Sequence, residues 1–221
     1  MKVLELFAGS CTFTGEAKKL GFETFTSDYK EFDGIDYAVD ILNFDVKKVP
    51  FKPDLIWASP PCTSFSVASI FRHWNKNNTP KSEKAELGVK YVEKTLEIIY
   101  ALKPKFWYME NPRGKLRVLD VVKGLPRVTV WYCQYGEQVA KPTDIWSNNI
   151  YNPMFNENGW KSRAECFNGN TNCHHDKQPR GYKAKKETGA LGKGIQGRSG
   201  NYQRSILPVE LCREILLSSK L

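Results

Sequence analysis

Short apolar runs alternate with amphipathic stretches along the first 145 residues. The apolar runs that predict strands cover residues 3–7, 22–26, 37–39, 53–58, 105–109 and 127–133. Helical spacing follows the first run from about Thr14 to Leu20, and the longest helix has apolar residues at steps of three and four from Ala85 to Leu102. Strands that alternate with helices are typical of a doubly wound α/β fold with a mostly parallel sheet.

The apolar pattern is lost from about residue 147 and returns only near the end of the chain. The intervening stretch is rich in Asn, Gly and Lys, which favours long loops. Pro208 then begins a short helix that carries Leu211, Ile215 and Leu216. We therefore predict an α/β domain over residues 1–147, a small irregular region over 148–203, and a C-terminal segment over 204–221 whose helix returns to the first domain.

The ends of the predicted strands carry residues suited to a ligand site, namely Gly9, Asp28, Asp40, Cys62 and Glu110. Ligands of open α/β sheets bind at the carboxyl ends of the strands. Gly9 lets the backbone approach a ligand, and Asp28 follows 19 positions later, near the spacing of a carboxylate that binds ribose hydroxyls. An ordinary strand–helix turn explains this spacing equally well. Because the chain has no G-x-G-x-x-G motif here, another adenosine ligand is favoured over a nicotinamide cofactor.

Two polar turns contain groups capable of covalent or acid chemistry. In residues 59–66, two prolines fix the backbone as it leaves the fourth predicted strand and present Cys62 among small polar residues. A buried structural cysteine is the ordinary alternative. Glu110-Asn111-Pro112 ends the fifth predicted strand in the same way. Two such placements on one edge of a sheet favour a reactive site over a coincidence.

Composition bounds the class of protein. The 221 residues, 41% of them apolar, suffice for one compact domain, and no apolar run approaches the roughly 18 residues of a membrane helix. The N-terminal stretch does not resemble a secretion signal, so we expect a cytoplasmic protein whose six cysteines are not a disulfide framework.

The net charge is +9, and residues 161–204, with ten Lys or Arg and three Asp or Glu, supply +7 of it. A polyanion that contacts this late segment is therefore favoured.

Five motifs occur in an order that is similar to that of a known family. They are Leu6-Phe7-Ala8-Gly9, Pro61-Cys62 with Phe65-Ser66, Glu110-Asn111-Pro112, Tyr135-Gly136 through Lys141-Pro142-Thr143, and Arg204-Ser205-Ile206-Leu207-Pro208. Together they resemble the cytosine-C5 DNA methyltransferases, and small phage-encoded members look most similar. The resemblance spans nearly the whole chain. It implies a Rossmann-like fold, S-adenosylmethionine as cofactor and duplex DNA as partner. It also implies that residues 1–147 are the catalytic, cofactor-binding domain and that residues 148–203 are a reduced target-recognition region.

The resemblance also implies a role for each matching residue. Cys62 is the nucleophile that adds to C6 of a cytosine flipped out of the duplex, Glu110 binds N3 and the exocyclic amine, and Lys141 keeps a charge near the flipped base. The residues expected to bind the cofactor are Phe7, Ala8, Gly9, Ser10, Cys11, Asp28, Asp40, Pro60 and Ser205. The residues expected to contact DNA phosphates are Lys183, Lys185, Lys186, Lys193 and Arg198. We expect a monomer.

The chain departs from the family's pattern in two motifs. Cys11 stands where the first motif has another glycine, and a thiol there could narrow the cofactor pocket. Since strands one and four are neighbours in this fold, Cys11 and Cys62 are expected to lie close together. Val139, Lys141 and Thr143 stand where the family has a Gln and two arginines. A weak enzyme, an RNA cytosine-C5 methyltransferase and a non-catalytic nucleic-acid-binding protein therefore stay open as alternatives.

The late segment also concentrates metal-ligating residue types. Cys166, Cys173, His174 and His175 lie within ten residues of one another, and zinc binds such groups. The paired C-x₂-C spacing is missing and no fourth ligand is obvious nearby. The sequence therefore favours polar residues of a DNA-facing loop, without a metal, over a zinc site.

Overall fold

In the computed structural model, which describes residues 1–167, 169–175 and 205–220, seven strands form one sheet. They are β1 (Lys2–Leu6), β2 (Glu23–Asp28), β3 (Tyr37–Ala38), β4 (Leu55–Ala58), β5 (Phe106–Pro112), β6 (Arg127–Trp131) and β7 (Pro142–Ser147). Their order in the sheet is β3-β2-β1-β4-β5-β7-β6. The pairs among β1 to β5 are parallel, and β7 runs antiparallel to both of its neighbours.

Helices cover both faces of this sheet. The described helices are α1 (Thr12–Lys19), α2 (Ile70–His73), α3 (Glu83–Leu102) and α4 (Val209–Ser218). Successive strand residues belong to different apolar clusters: Val3 packs with α1 and α4, whereas its neighbour Leu4 packs with α3. This alternation places every residue of a central strand against a covered face, which is why the central strand β4 is wholly apolar and fully buried. The predicted doubly wound, mostly parallel α/β fold is confirmed.

The long helix α3 follows the predicted apolar stripe. Ala85, Val92, Leu96 and Ile99 are buried against the sheet. Ser82 caps the N-terminus, where its Oγ accepts a hydrogen bond from the amide of Ala85 at 3.3 Å. The apolar spacing therefore predicted the buried face correctly, and the capping serine sets where the helix begins.

Two features of the sheet differ from the prediction. The strand β5 extends to Pro112, so Glu110 and Asn111 lie within a strand paired with β7 and not in a turn beyond it. The strand β7 itself was missed. Its central residue Asp144 is fully buried, and a charged residue in the middle interrupts the apolar run that would have predicted a strand. Arg117 compensates that charge with a bidentate pair of hydrogen bonds.

The described part of the irregular region packs on the rest of the molecule. Short bridges join Ile150 to Trp160 and Asn152 to Asn156. Trp160 is buried beside α4 and donates from Nε1 to Glu214 at 3.0 Å. The boundaries of the three predicted segments stay predictions. Among the described residues, no helix is long and apolar enough to span a bilayer.

Candidate active site

The first turn after β1 folds tightly around Gly9. Phe7, Gly9 and Cys11 have positive φ angles of 58°, 47° and 51°, a region that costs glycine little and other residues more. The Gly9 amide donates to Asp28 Oδ2 at 3.0 Å, so the carboxylate at the end of β2 faces the turn. A Cβ at position 9 would lie 4.0 Å from that same oxygen. That distance is an ordinary contact, so the positive φ, and not a lack of space, favours glycine at this position.

Two further predicted cofactor residues lie at the same edge of the sheet. Asp40, after β3, caps a 3-10 turn by accepting from the amide of Leu42 at 2.9 Å. Phe7 makes an edge contact with Tyr91 of α3, at 6.4 Å between ring centroids. Burial and the nearby charge of Asp40 raise the pKa of Tyr91. Tyr91 was missed because, on a helix, it follows the spacing of ordinary core residues.

The remaining predicted cofactor residues are built into the turns or lie near the start of α4. The Ala8 amide donates to the carbonyl of Ser27 at 3.0 Å, and the hydroxyl of Ser10 bonds to that of Thr12 at 2.7 Å. Pro60 is buried, and Ser205 is exposed ahead of α4. The cofactor roles of these residues stay predictions.

The loop of residues 59–66, which we call the nucleophile loop after the role predicted for Cys62, leaves Cys62 half-buried on a firmly anchored turn. The carbonyl of Cys62 accepts from the amides of Phe65 at 3.0 Å and Ser66 at 3.1 Å. Phe65 is fully buried and stacks on Trp74, whose Nε1 donates to the carbonyl of Ser64 at 2.8 Å. The second half of the loop is thus part of the core, while Cys62, which is not in a disulfide, keeps partial access to solvent.

Two glycines allow other elements to approach this loop closely. A Cβ at Gly114, just after β5, would lie 2.2 Å from the carbonyl oxygen of Phe65. That oxygen already accepts from the amide of Lys115 at 2.8 Å. A Cβ at Gly88 of α3 would lie 2.7 Å from Ser64 Oγ. Both contacts are long-range, so nothing local in the sequence marked these glycines.

A buried hydrogen bond joins the nucleophile loop to the strand that carries Glu110. Asn111 Nδ2 donates to the carbonyl of Pro60 at 2.9 Å. The register pairs Ala58 of β4 with Met109 of β5, so Glu110 follows directly beside Ser59. The two motifs predicted from separate strand ends are therefore brought together by adjacent parallel strands and by one side-chain bond.

The carboxyl group of Glu110 is buried among polar partners. Tyr132 donates to Glu110 Oε1 at 3.2 Å, and Ser59 also bonds to the carboxylate. Burial raises the pKa of Glu110, while the charge of Lys141 and the hydrogen bonds from Tyr132 and Ser59 act in the opposite direction. A neutral carboxyl group at this position can donate a proton to a base nitrogen. Tyr132 and Ser59 were both missed by the sequence analysis.

Lys141 is the charged residue among the three positions that depart from the family's pattern, and its charge acts on the Glu110 carboxylate. Its Nζ lies 4.4 Å from the centroid of the Tyr132 ring, and the side chain is buried. Val139 and Thr143 are buried as well, and Thr143 pairs with Pro112 and Val130 in the sheet. Lys141 alone of the three thus places a positive charge next to Glu110.

Cys11 is held within the first turn. Its Sγ donates to the carbonyl of Gly34 at 3.6 Å, and burial raises the pKa of the thiol to about 11. The Cys11 thiol is therefore protonated near neutral pH, lines the turn and makes one weak hydrogen bond. Neither Cys11 nor Cys62 is in a disulfide, so the two are not joined to each other.

A second group of reactive side chains lies at the 3-10 turn Tyr132–Tyr135. We call it the thiol cluster; its members are Cys133, Cys166, Cys173 and His175. The sequence offered no fourth ligand near Cys166, Cys173 and the two histidines. The fold supplies a fourth candidate ligand, because it brings Cys133 to the late segment. His174 lies outside the cluster and pairs through Nε2 with the carbonyl of Glu137 at 3.0 Å.

The basic residues assigned to DNA contact cannot be placed on this framework. They lie outside the described residues: Lys183, Lys185, Lys186, Lys193 and Arg198. Their assignment stays a prediction that rests on charge and on position along the chain.

Comparison with known proteins identifies relatives of the chain. Residues 1–117 match the family model for C-5 cytosine-specific DNA methylases. A protein of Frog virus 3 (isolate Goorha), named "Probable DNA (cytosine-5)-methyltransferase", is 32% identical over 156 residues, which are 67% of this chain and 71% of that protein. The family model's match, residues 1–117, contains the first turn, the nucleophile loop and the Glu110-Asn111-Pro112 motif.

Solved structures with a similar fold include two methyltransferase chains. The S. pombe Dnmt2 methyltransferase aligns with a TM-score of 0.46 at 12% identity, covering 66% of this chain and 48% of that one. A DNMT2 variant from Spodoptera frugiperda aligns with a TM-score of 0.42 at 17% identity, covering 74% and 55%. This chain thus spans about half the length of those structures.

Proposed function

Because the chain belongs to the C-5 cytosine-specific DNA methylase family, we propose that it methylates C5 of cytosine in DNA through a covalent adduct with Cys62. The observation that carries the proposal is the buried bond from Asn111 Nδ2 to the carbonyl of Pro60. It fixes the loop of the nucleophile to the strand of the acid, so Cys62 and Glu110 act on one base as a unit.

Cys62 solves the problem that C5 of cytosine is a poor nucleophile. Its thiolate forms a bond to C6, and the electrons of the C5–C6 double bond move toward C5 and N3. C5 then has enamine character and can accept an electrophilic carbon. After methylation, loss of the C5 proton to a base restores the double bond and expels Cys62 as thiolate. Partial exposure of Cys62 on an anchored loop suits both attack and departure.

Glu110 stabilises the charge that this addition places on the ring. The raised pKa of Glu110 keeps a fraction of the carboxyl group protonated where an exposed glutamate would be ionised. The acid donates to N3, and its other oxygen accepts from the exocyclic amine. Tyr132 and Lys141 hold the carboxyl group in place, and their donors favour its ionised form once the proton has moved to N3.

The first turn has the chemistry to hold S-adenosylmethionine, which supplies an electrophilic methyl group when bound. The hydrogen bond from the Gly9 amide holds the Asp28 carboxylate at this turn, where the carboxylate can accept hydrogen bonds from ribose hydroxyls. Phe7 and Asp40 lie at the same edge and suit the adenine, the first through its ring and the second through an exposed carboxylate. Ser10, Pro60 and Ser205 complete the proposed pocket.

The substrate in this proposal is a cytosine flipped out of duplex DNA. Glu110 is only 6% exposed, so a base that remained stacked in a helix would not reach it. The late basic segment supplies phosphate contacts. We propose that the enzyme acts as a monomer.

Labelled-methyl transfer to duplex DNA and to transfer RNA tests the activity and its substrate together. The wild-type chain should methylate DNA and form a covalent complex with duplex DNA that contains 5-fluorocytosine. Cys62→Ser should lose both products and keep DNA binding, whereas Cys212→Ala, which removes a core thiol of α4, should keep all three. Methylation of RNA in place of DNA would assign the other substrate. Binding without any trapping would indicate a non-catalytic protein.

A further inference from the structure

The thiol cluster has the composition and the dimensions of a structural metal site. The four potential ligand atoms, three sulfurs and one imidazole nitrogen, all lie within 4.8 Å of one another. In tetrahedral zinc sites the Zn–S and Zn–N bond lengths place ligand atoms about 3.5–3.8 Å apart. Cys166 Sγ and His175 Nδ1 are separated by 3.8 Å. A small relaxation inward would therefore give regular coordination.

The sulfurs are also surrounded as thiolates are in metal sites. Asn170 Nδ2 donates to Cys166 Sγ at 3.4 Å. Gln134 Nε2 donates to Cys133 Sγ at 3.7 Å and to Cys173 Sγ at 3.8 Å. Amide donors stabilise negative charge on sulfur, and such outer partners are a regular feature of metal centres.

Burial and access both suit a bound ion. Cys133, Cys166 and His175 are buried, whereas Cys173 is half-buried. An open depression in the surface is lined by Cys133, Cys173 and His174, so an ion or a chelator can reach the cluster from solvent. Cys133, Cys166 and Cys173 are not in disulfides, so all three sulfurs are available as ligands.

We propose that Cys133, Cys166, Cys173 and His175 bind one zinc ion that fastens the late segment to the catalytic sheet. Three cysteines and one histidine are a regular ligand set for structural zinc, and four protein ligands leave no open position for catalysis. The ion would tie residues 166–175 to the turn that follows β6. The proposal is independent of methyl transfer, and each of its readouts is a measurement of metal.

Metal analysis of the full-length chain, purified without chelator or affinity metal, tests the site. We expect about one zinc ion per chain. Substitution of Co²⁺ for zinc should give thiolate-to-cobalt charge-transfer absorption and the visible bands of a tetrahedral ion. Cys133→Ser and Cys166→Ser should each lose most of the metal, and His175→Ala should do the same.

The neighbouring histidine offers a matched control. His174→Ala removes an imidazole next to the cluster that pairs with a backbone carbonyl, so it should retain the full zinc content. If Cys133→Ser does not fold, Cys173→Ser changes the half-buried ligand and gives the same readout. A chain that is free of zinc and binds none when zinc is added would overturn the proposal. So would a disulfide among the three cysteines, or undiminished zinc in the ligand variants.

Discussion

Gly114→Ala tests whether close backbone packing positions the nucleophile. The new Cβ would lie 2.2 Å from the carbonyl oxygen of Phe65, although real Cβ contacts almost never fall under 3.0 Å. The backbone at Gly114 has φ −172°, which any residue adopts, so the effect is one of space and not of backbone strain. The Phe65 carbonyl must therefore move by about 0.8 Å or more.

The loop cannot absorb this shift locally. Phe65 is fully buried against Trp74, and its amide donates to the carbonyl of Cys62 at 3.0 Å. A displacement of Phe65 is thus transmitted to the nucleophile. Misplacing a reacting group by about 1 Å can lower the rate about 100-fold. Overpacking of this kind also lowers the free energy of unfolding by about 1–3 kcal/mol.

Single-turnover methyl transfer at saturating DNA and cofactor, with urea unfolding in parallel, measures both effects. Gly15→Ala in α1 is the matched control, because no heavy atom of the described structure beyond its own helix lies within 4 Å of the added Cβ. Its rate should stay at the wild-type value, and its stability should rise by up to about 1 kcal/mol. A Gly114→Ala variant with the wild-type rate would refute the claim that this contact positions Cys62.

Two further predictions concern buried carboxyl groups. In Tyr132→Phe, loss of a hydrogen bond that favours the ionised form of Glu110 should raise the pKa of Glu110 further and move the alkaline limb of the pH–rate profile to higher pH. The exposed Tyr100→Phe should leave the profile unchanged, and an unmoved limb in Tyr132→Phe would contradict the assignment. Burial also raises the pKa of Glu5 to about 7, although Thr14 donates two hydrogen bonds to its carboxylate. The folded state therefore binds this proton more tightly than the unfolded state does. As a result, the free energy of unfolding of the wild-type chain falls as the pH rises from about 4.5 to about 7. Relative to the wild type, Glu5→Gln should gain about 3 kcal/mol between pH 4.5 and pH 8 in chemical denaturation, and a pH-independent difference would exclude the raised pKa.

The sequence predicted the parts of the site that depend on local pattern. Gly9, Asp28 and Cys62 follow apolar strands directly, so recognising the strands was enough to place them at one edge of the sheet. Parallel pairing then brings such residues together without further information. The connection from Asn111 to Pro60 spans 51 positions, and no local pattern could have indicated it.

The parts that were missed depend on partners far away in the chain. A buried Asp144 argues against a strand until Arg117 and Thr129 are known to bond to it. Tyr132 looked like one more aromatic residue at the end of β6 until its hydroxyl was found on Glu110. Cys133 likewise gains a role only from the return of Cys166 and Cys173. A polar group whose hydrogen-bond partner is distant in the chain produces no periodic pattern in the sequence.

The 3-10 turn Tyr132–Tyr135 links the proposed chemistry to the late segment. Tyr132 donates to Glu110, and Cys133 belongs to the thiol cluster. The carbonyl of Gln134 accepts from Arg163 at 2.8 Å, and Tyr135 accepts from the Arg163 amide at 3.0 Å. Consecutive residues of this turn therefore contact Glu110, belong to the thiol cluster and bind Arg163 at the beginning of the late segment. Because one short turn contacts all three, an ion bound by the thiol cluster would fix Cys166, Cys173 and His175 relative to Glu110 without taking part in the proposed reaction.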